Sequence, residues 1–259
     1  MTQKIQISLN GKTVEAENRE PLIKVCEREG VYIPTLCHHP RLEPYGACRV
    51  CLVKVSWGEK SKYVTACNYP VEEGEKFETD SEDVLTLRKL TIEALLGRCP
   101  NEPKIVEFAH RHGVTESRFR PPVPGGDDCI LCGLCVRVCD EVVGAHALGF
   151  MGRGSTREVS TPFLLHPESC IGCGACSAVC PTSAMKMEGE KVTILAQNHG
   201  DVRPCRYRLM GFFPAGICAN NYRCYRCDVD QKYIALCGGE HPIFTARLFS
   251  LHKVEKSET

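Results

Sequence analysis

The segment "CILCGLCVRVCD", beginning at Cys129, returns forty-one residues later as "CIGCGACSAVCP", beginning at Cys170. Both copies read C-x2-C-x2-C-x3-C. Three thiolates two residues apart let one tight loop wrap three corners of a cubane cluster. The fourth cysteine, one turn into the following helix, points away from that loop and ligates the other cluster. On that logic Cys129, Cys132, Cys135 and Cys180 hold one [4Fe–4S], and Cys170, Cys173, Cys176 and Cys139 hold the second. Gly133, Gly172 and Gly174 free the backbone to approach the sulfides and donate N–H bonds. Pro181 follows the last cysteine, as in the bacterial ferredoxin run, whereas the first copy has Asp140 there. Zinc is the competing reading, but zinc motifs seldom pack three cysteines at this spacing. Cubanes that exchange ligands sit close together, which suits electron hopping rather than chemistry on a substrate.

The chain holds 19 cysteines, an odd number that a pure disulfide framework would leave unbalanced. Its start, "MTQKIQISLNG", alternates polar and apolar residues and lacks the apolar core of a secretory signal. The expectation is a soluble, cytoplasmic protein whose reduced thiols hold metal as thiolates. Lys plus Arg and Asp plus Glu are 32 each, so the basic excess of a nucleic-acid binder is missing. No stretch approaches 18 apolar residues, and no membrane span is expected.

Four regions are expected. Residues 1–78 read as a small mixed β domain. "KIQISLNGKTVEA" gives two strands about an Asn10-Gly11 turn, "REPLIKVCEREG" a short helix, and "CLVKVSW" and "YVTACNY" further strands. Residues 79–126 read as a helical linker. "DSEDVLTLRKLTIEALLG" closes on Gly97, "EPKIVEFAHRHG" starts at Pro103, and "PPVPGG" is a hinge. Residues 127–190 carry the repeated phrase, and 191–259 form an appended cysteine-rich module. The first region has its own ligand candidates, Cys37, Cys48, Cys51 and Cys67, spaced x10, x2 and x15. Long-short-long spacing on a β domain suits [2Fe–2S], with a zinc ribbon as the alternative. Cys26, on the helix, reads as a buried small hydrophobe, and Trp57 as a packing residue.

The segments "GVYIPTLCHHPRL", "GACRVCLVKV", "DDCILCGLCVRVCDEVVG" and "LGFMGRG" resemble the iron–sulfur part of a known group. It comprises the large iron–sulfur subunit of respiratory complex I, the diaphorase small subunit of NAD-reducing hydrogenases and the N-terminal part of NAD-dependent formate dehydrogenases. Over residues 1–190 the resemblance implies an α+β chain, with a β-grasp [2Fe–2S] domain and a ferredoxin-like double [4Fe–4S] domain. It also implies docking beside a flavin- and NAD(P)H-binding subunit. The group carries a further cluster with ligands H-x3-C-x2-C-x5-C between those domains. Here "LLGRCPNEPKIVEF" keeps only Cys99, with Leu95, Glu102 and Phe108 at the other ligand positions. His110 and His112 lie downstream at the wrong spacing and read as helix-surface residues. That cluster is expected to be missing.

The last region offers Cys205, Cys218, Cys224 and Cys227 as a further four-thiolate site, with Cys237 in reserve. "PC…MG…C…NYRC…CDVDQ" resembles a short cysteine-rich module attached to other redox and regulatory proteins. Spacing leaves zinc, [4Fe–4S] and unliganded reduced thiols open. No flavin or nicotinamide fingerprint is present, since "LGFMGRG" has its glycines in the wrong order and reads as a loop. The expectation is therefore a non-catalytic electron-transfer subunit of a hetero-oligomeric NAD(P)H-linked oxidoreductase. It would be of hydrogenase, formate dehydrogenase or transhydrogenase/bifurcating type, linking a flavin subunit to a second catalytic subunit. The alternative is a free-standing multi-cluster, ferredoxin-like carrier.

Overall fold

The computed structural model describes residues 3–161, 163, 169, 170, 172–182, 184–186, 205–210, 212, 216–218, 220 and 224–244. The expected boundary between residues 190 and 191 lies outside them. The chain forms two units, Met1–Cys132 and Gly133–Thr259.

In the first unit, β1 (Lys4–Leu9) and β2 (Lys12–Glu17) pair antiparallel, with Leu9 facing Lys12. Asn10 and Gly11 both take positive φ, 50° and 81°, as the tightest right-twisted hairpin turn demands. Ile5, Ile7 and Leu9 alternate inward. They meet Leu22, Ile23, Val25 and Cys26 of α1 (Leu22–Arg28) in one core cluster. A second hairpin follows, β3 (Leu52–Trp57) and β4 (Lys60–Thr65), turning at Gly58 with φ 57°. The expected strand "YVTACNY" is therefore displaced. The strand ends at Thr65, and Ala66 instead donates its N–H to the Cys51 carbonyl at 3.0 Å.

A strand not expected from the sequence joins the two hairpins. β5 (Lys76–Glu78) runs parallel to β1 and antiparallel to β3, giving the order β2-β1-β5-β3-β4. Phe77, 1% exposed, fills the seam between them. Trp57 closes β3 half-exposed, with the Lys62 Nζ over its ring at 5.1 Å, so it packs less deeply than expected.

α2 (Glu82–Arg98) and α3 (Pro103–Arg111) follow. Helix α2 runs one residue past Gly97, which is not its cap. A Cβ there would sit 2.5 Å from Ser117 Oγ and 2.9 Å from the Phe119 carbonyl oxygen, so glycine admits a crossing chain. Helix α3 begins at Pro103 behind Glu102, whose side chain accepts the Lys104 N–H, and Gly113 follows its end with φ 71°.

Among the described residues, the second unit is built from short pieces. They are α4 (Leu134–Arg137), a π-helical turn Val138–Val143, the hairpin β6 (Gly149–Met151) with β7 (Glu158–Ser160), α5 (Ala175–Ala178), α6 (Arg206–Leu209) and α7 (Asp228–Leu236). "LGFMGRG" is thus part of a hairpin rather than a plain loop. Among the described residues no helix is long and apolar enough to cross a membrane.

Candidate metal centres

The first set of thiols is assembled by the ends of the two hairpins. Cys37 lies in the loop after α1, Cys48 and Cys51 in the turn entering β3, and Cys67 just beyond β4. All four are 5% exposed or less. Gly46 and Arg49 take positive φ, 73° and 60°, curling the loop so that the Cys48 N–H donates to Cys37 Sγ at 3.4 Å. Their sulfurs are close enough to hydrogen-bond one another. Bonds from the Cys48 and Cys67 thiols hold Cys37 well below the thiol range, and the Cys67 thiol lowers Cys51. Cys48 and Cys67, which keep the shared protons, are pushed up. Four buried sulfurs competing for protons fit a metal–sulfide group, because metal ions bind thiolates where water cannot solvate them.

Beside them lies a charge that spacing could not reveal. Arg88 of α2, 6% exposed, donates from Nη2 to the Leu52 and Thr79 carbonyls at 2.7 and 3.1 Å. Burial lowers its pKa, and the neighbouring Cys51 raises it, which places the guanidinium within electrostatic reach of that sulfur.

The two copies of the repeated phrase share one backbone path. Leu131 and Gly172, each two residues past the first cysteine, have φ 54° and 63°. Gly133 and Gly174, two residues further, have φ 76° and 73° and open α4 and α5. Such turns aim successive N–H groups at the loop's interior. In the first unit the Leu131 N–H reaches Cys129 Sγ at 3.4 Å. The Arg98 Nε there donates to the Cys129 carbonyl at 2.7 Å, and its Nη2 pairs with Asp127.

In the second unit Cys139 sits in the π-helical turn and receives the Ala147 N–H at 3.3 Å. Burial pushes the Cys176 thiol up to about 12, and the charges of Cys173, Cys170 and Cys139 push it the same way, so these four sulfurs lie together. Cys180 follows α5 instead of riding on it, which corrects the expected helical placement of the fourth ligand. Burial raises its thiol, but the Met185 N–H, the Thr182 hydroxyl and the N–H groups of Thr182 and Ala184 bring it below the ordinary value. Among the described residues no three His, Cys, Asp or Glu side chains are drawn around a single ion-sized point.

The positions of the expected missing cluster have other work. Cys99 is fully buried, and burial pushes its thiol up to about 12. Glu102 caps α3, while Phe108 is 8% exposed with its ring 4.5 Å from that of His112. His110 is exposed and His112 half-buried, its Nδ1 2.8 Å from the Phe108 carbonyl. Cys26 is a core residue, its thiol likewise raised to about 12 by burial.

In the C-terminal region Cys205, Cys218, Cys224 and Cys227 line one cavity of about 260 Å³. Cys237, at the end of α7, does not line it. Beneath the thiols lies a buried network missed in the sequence. The Arg206 guanidinium pairs with Asp230, and Tyr207 Oη donates to Asp230 Oδ1 at 2.7 Å. Tyr207 stacks on Tyr233 with ring centroids 4.8 Å apart. Arg206 directly follows Cys205, which is its only sequence signal.

Residues 2–82 match the family described as "2Fe-2S iron-sulfur cluster binding domain". Residues 128–184 match a family described as "4Fe-4S dicluster domain", and 163–207 match a second of the same description. The chain is 31% identical over 205 residues to an NADH-quinone oxidoreductase subunit of Rhizobium meliloti, covering 70% of this chain and 24% of that one. It is 30% identical over 203 residues to the alpha subunit of an NADPH-Fe(3+) oxidoreductase of Geobacter sulfurreducens, with the same coverage. Identity is also 30%, over 207 residues, to the mitochondrial NADH-ubiquinone oxidoreductase 78 kDa subunit of Neurospora crassa, covering 70% and 27%. The chain thus spans about a quarter of the length of these relatives. In the crystal structure of an NAD+-reducing [NiFe]-hydrogenase, one chain superposes with a TM-score of 0.52 at 27% identity, covering 61% of this chain and 74% of that one.

Proposed function

Since the chain is a homologue of the iron–sulfur subunits of NADH- and NADPH-linked oxidoreductases, we propose that it is an electron-transfer subunit of such a complex. It would lie between a flavin- and NAD(P)H-binding subunit and a second catalytic subunit. On this reading residues 1–78 are a β-grasp domain in which Cys37, Cys48, Cys51 and Cys67 hold a [2Fe–2S] group. Residues 127–190 are a ferredoxin-like domain. There Cys129, Cys132, Cys135 and Cys180 take one [4Fe–4S] group, and Cys170, Cys173, Cys176 and Cys139 take the other. A four-thiolate metal site at Cys205, Cys218, Cys224 and Cys227 completes the set.

When bound, such groups take up and release one electron at a time. The protein's own part is to bind, insulate and tune. The near-complete burial of the first four cysteines excludes water from the sulfurs. The N–H groups aimed at Cys37, Cys129 and Cys139 and the nearby Arg88 charge favour the more negative, reduced state. The carrying observation is the convergence of the four buried thiols of the first set on one another. The hydrophobic filling around Cys99 and Phe108 supports a path without the histidine-ligated cluster of the wider group.

The test is anaerobic purification of the full chain with its native partners, followed by cofactor analysis and reduction. The expected result is a complex containing flavin. The isolated chain should be reduced by dithionite but by NAD(P)H only after the flavin subunit is added back. A chain that elutes alone from the native extract and exchanges electrons freely with several proteins would favour a free carrier instead. A preparation containing zinc and no acid-labile sulfide would overturn both.

A further inference from the structure

We propose that the C-terminal thiols Cys205, Cys218, Cys224 and Cys227 hold a third [4Fe–4S] cluster, set against the loop of the second repeated motif as an additional electron relay. This rests on the electron-transfer reading above and extends it by naming the metal group and its neighbour. One observation speaks for a cluster over zinc, and a second speaks for a bound thiolate or sulfide group at this place. Thiolates close on zinc to about 2.3 Å and leave little space between them. Here the four thiols, together with Arg206, Tyr207 and Asp230, line a cavity of about 260 Å³.

The second observation is an unsatisfied donor. Arg206 lines the same cavity and is 8% exposed. Its Nη2 is taken by Asp230 and reaches the Tyr207 hydroxyl, yet its Nε has no hydrogen-bond partner. A buried donor left unpaired costs about 1–3 kcal/mol. A cysteine sulfur or inorganic sulfide in the cavity would accept that hydrogen. A guanidinium also offsets the negative charge of a core bound by four thiolates.

The neighbour is fixed by the same residue. A Cβ on Gly174, in the second motif's loop, would lie 3.3 Å from Arg206 Nη1. From the other side His241 places Nε2 2.8 Å from the Cys173 carbonyl, while its Nδ1 accepts the Ile243 N–H at 3.2 Å. A carbonyl only accepts, so the ring is neutral with its hydrogen on Nε2. The buried turn Pro242–Phe244 follows at once. Arg206 of the cavity and His241 thus both pack against the loop that carries Cys173 and Gly174. Transfer across it moves a single electron with no bond made or broken: the donor cluster is oxidised from the 1+ to the 2+ core and the acceptor is reduced from 2+ to 1+.

The test uses the full chain, prepared anaerobically with its iron–sulfur groups. The expected content is about 14 iron and 14 labile sulfide per chain, against about 10 of each for the first three groups alone. Cys224→Ala/Cys227→Ala should lose about four of each, whereas Cys237→Ala should lose none. Loss of one zinc and no iron, or no change in either metal, overturns the proposal while leaving the three-group reading intact. Should the double variant fail to fold, Arg206→Gln provides a second arm. It should move one [4Fe–4S] midpoint potential to a more negative value, and Arg206→Lys should restore it. Unchanged potentials in Arg206→Gln would sink the assignment of this cavity to a cluster.

Discussion

At Gly97 two opposing quantities can be weighed. A glycine inside a helix is worse than alanine by about 1 kcal/mol, so Gly97→Ala should help α2 taken alone. The added methyl would meet Ser117 Oγ at 2.5 Å, Phe119 Cβ at 2.8 Å and the Phe119 carbonyl at 2.9 Å. Overpacking of this kind costs about 1–3 kcal/mol, and a backbone carbonyl cannot swing aside as a side-chain end can. The clash wins. Gly97→Ala should lower the unfolding free energy by up to about 2 kcal/mol, and a stabilised variant would show that the crossing segment is not held there. The sequence presents Gly97 only as a glycine near a helix end, so a cap is the natural reading. What it makes room for lies twenty residues onward and leaves no local pattern. Arg88 and Arg206 were illegible for the same reason, since nothing in spacing marks a cation that burial will later place beside sulfur. The twelve cysteines of the first three sets stand out as ligand candidates because their spacing is itself a local pattern.

The crossing segment is an element in its own right, a strap over the last turns of α2. Ser117 Oγ donates to the Glu93 carbonyl at 2.9 Å, and Arg118 meets the Glu93 carboxylate with its backbone N–H, Nε and Nη2 at 2.8–2.9 Å. The Arg118 side chain, and then its backbone N–H, draw the Glu93 carboxyl down to about 2 from its usual 4.5. A depressed carboxyl contributes stability that is complete above the unfolded value and is lost as pH falls through the folded one. The strap should therefore hold above about pH 4.5 and loosen toward pH 2. The protection of the Arg118 amide against hydrogen exchange reads this directly, with β1 amides as the internal reference. Wild type should lose protection across that window, whereas Glu93→Gln should be weakly protected throughout. A pH-independent difference between the two would mean that the charge is not what fastens the strap. Elements with local signals, such as the Asn10-Gly11 hairpin and the Pro103 helix start, were readable beforehand. β5 was not, because three residues between distant strands acquire their identity only from the partners on either side.

On the scale of the chain, the two units draw their order from different sources. Of the twelve largest fully buried side chains among the described residues, only Tyr207 belongs to the second unit. The others include Ile7, Leu22, Val53 and Phe77 on the sheet and α1, and Ile92 and Ile105 on α2 and α3. The first unit thus has an apolar core of its own, and a domain of this length can fold on that alone. Among the described residues the second is assembled from pieces of three to nine residues around buried and half-buried cysteines, so metal binding is expected to supply much of its folding free energy. This is why its secondary structure was the least legible part of the sequence: apart from the nine-residue α7, its described helices are about a turn long, with no apolar periodicity to read. Stripping the metal anaerobically with acid and chelator, then returning to neutral pH, should separate the two cases. Amides of β1, β3 and α2 should remain protected from exchange, while those of α4, α5 and α7 should exchange within the dead time. Persistent protection of α7 after complete iron loss would show that the Tyr207–Asp230–Arg206 network, and not the metal, organises the second unit.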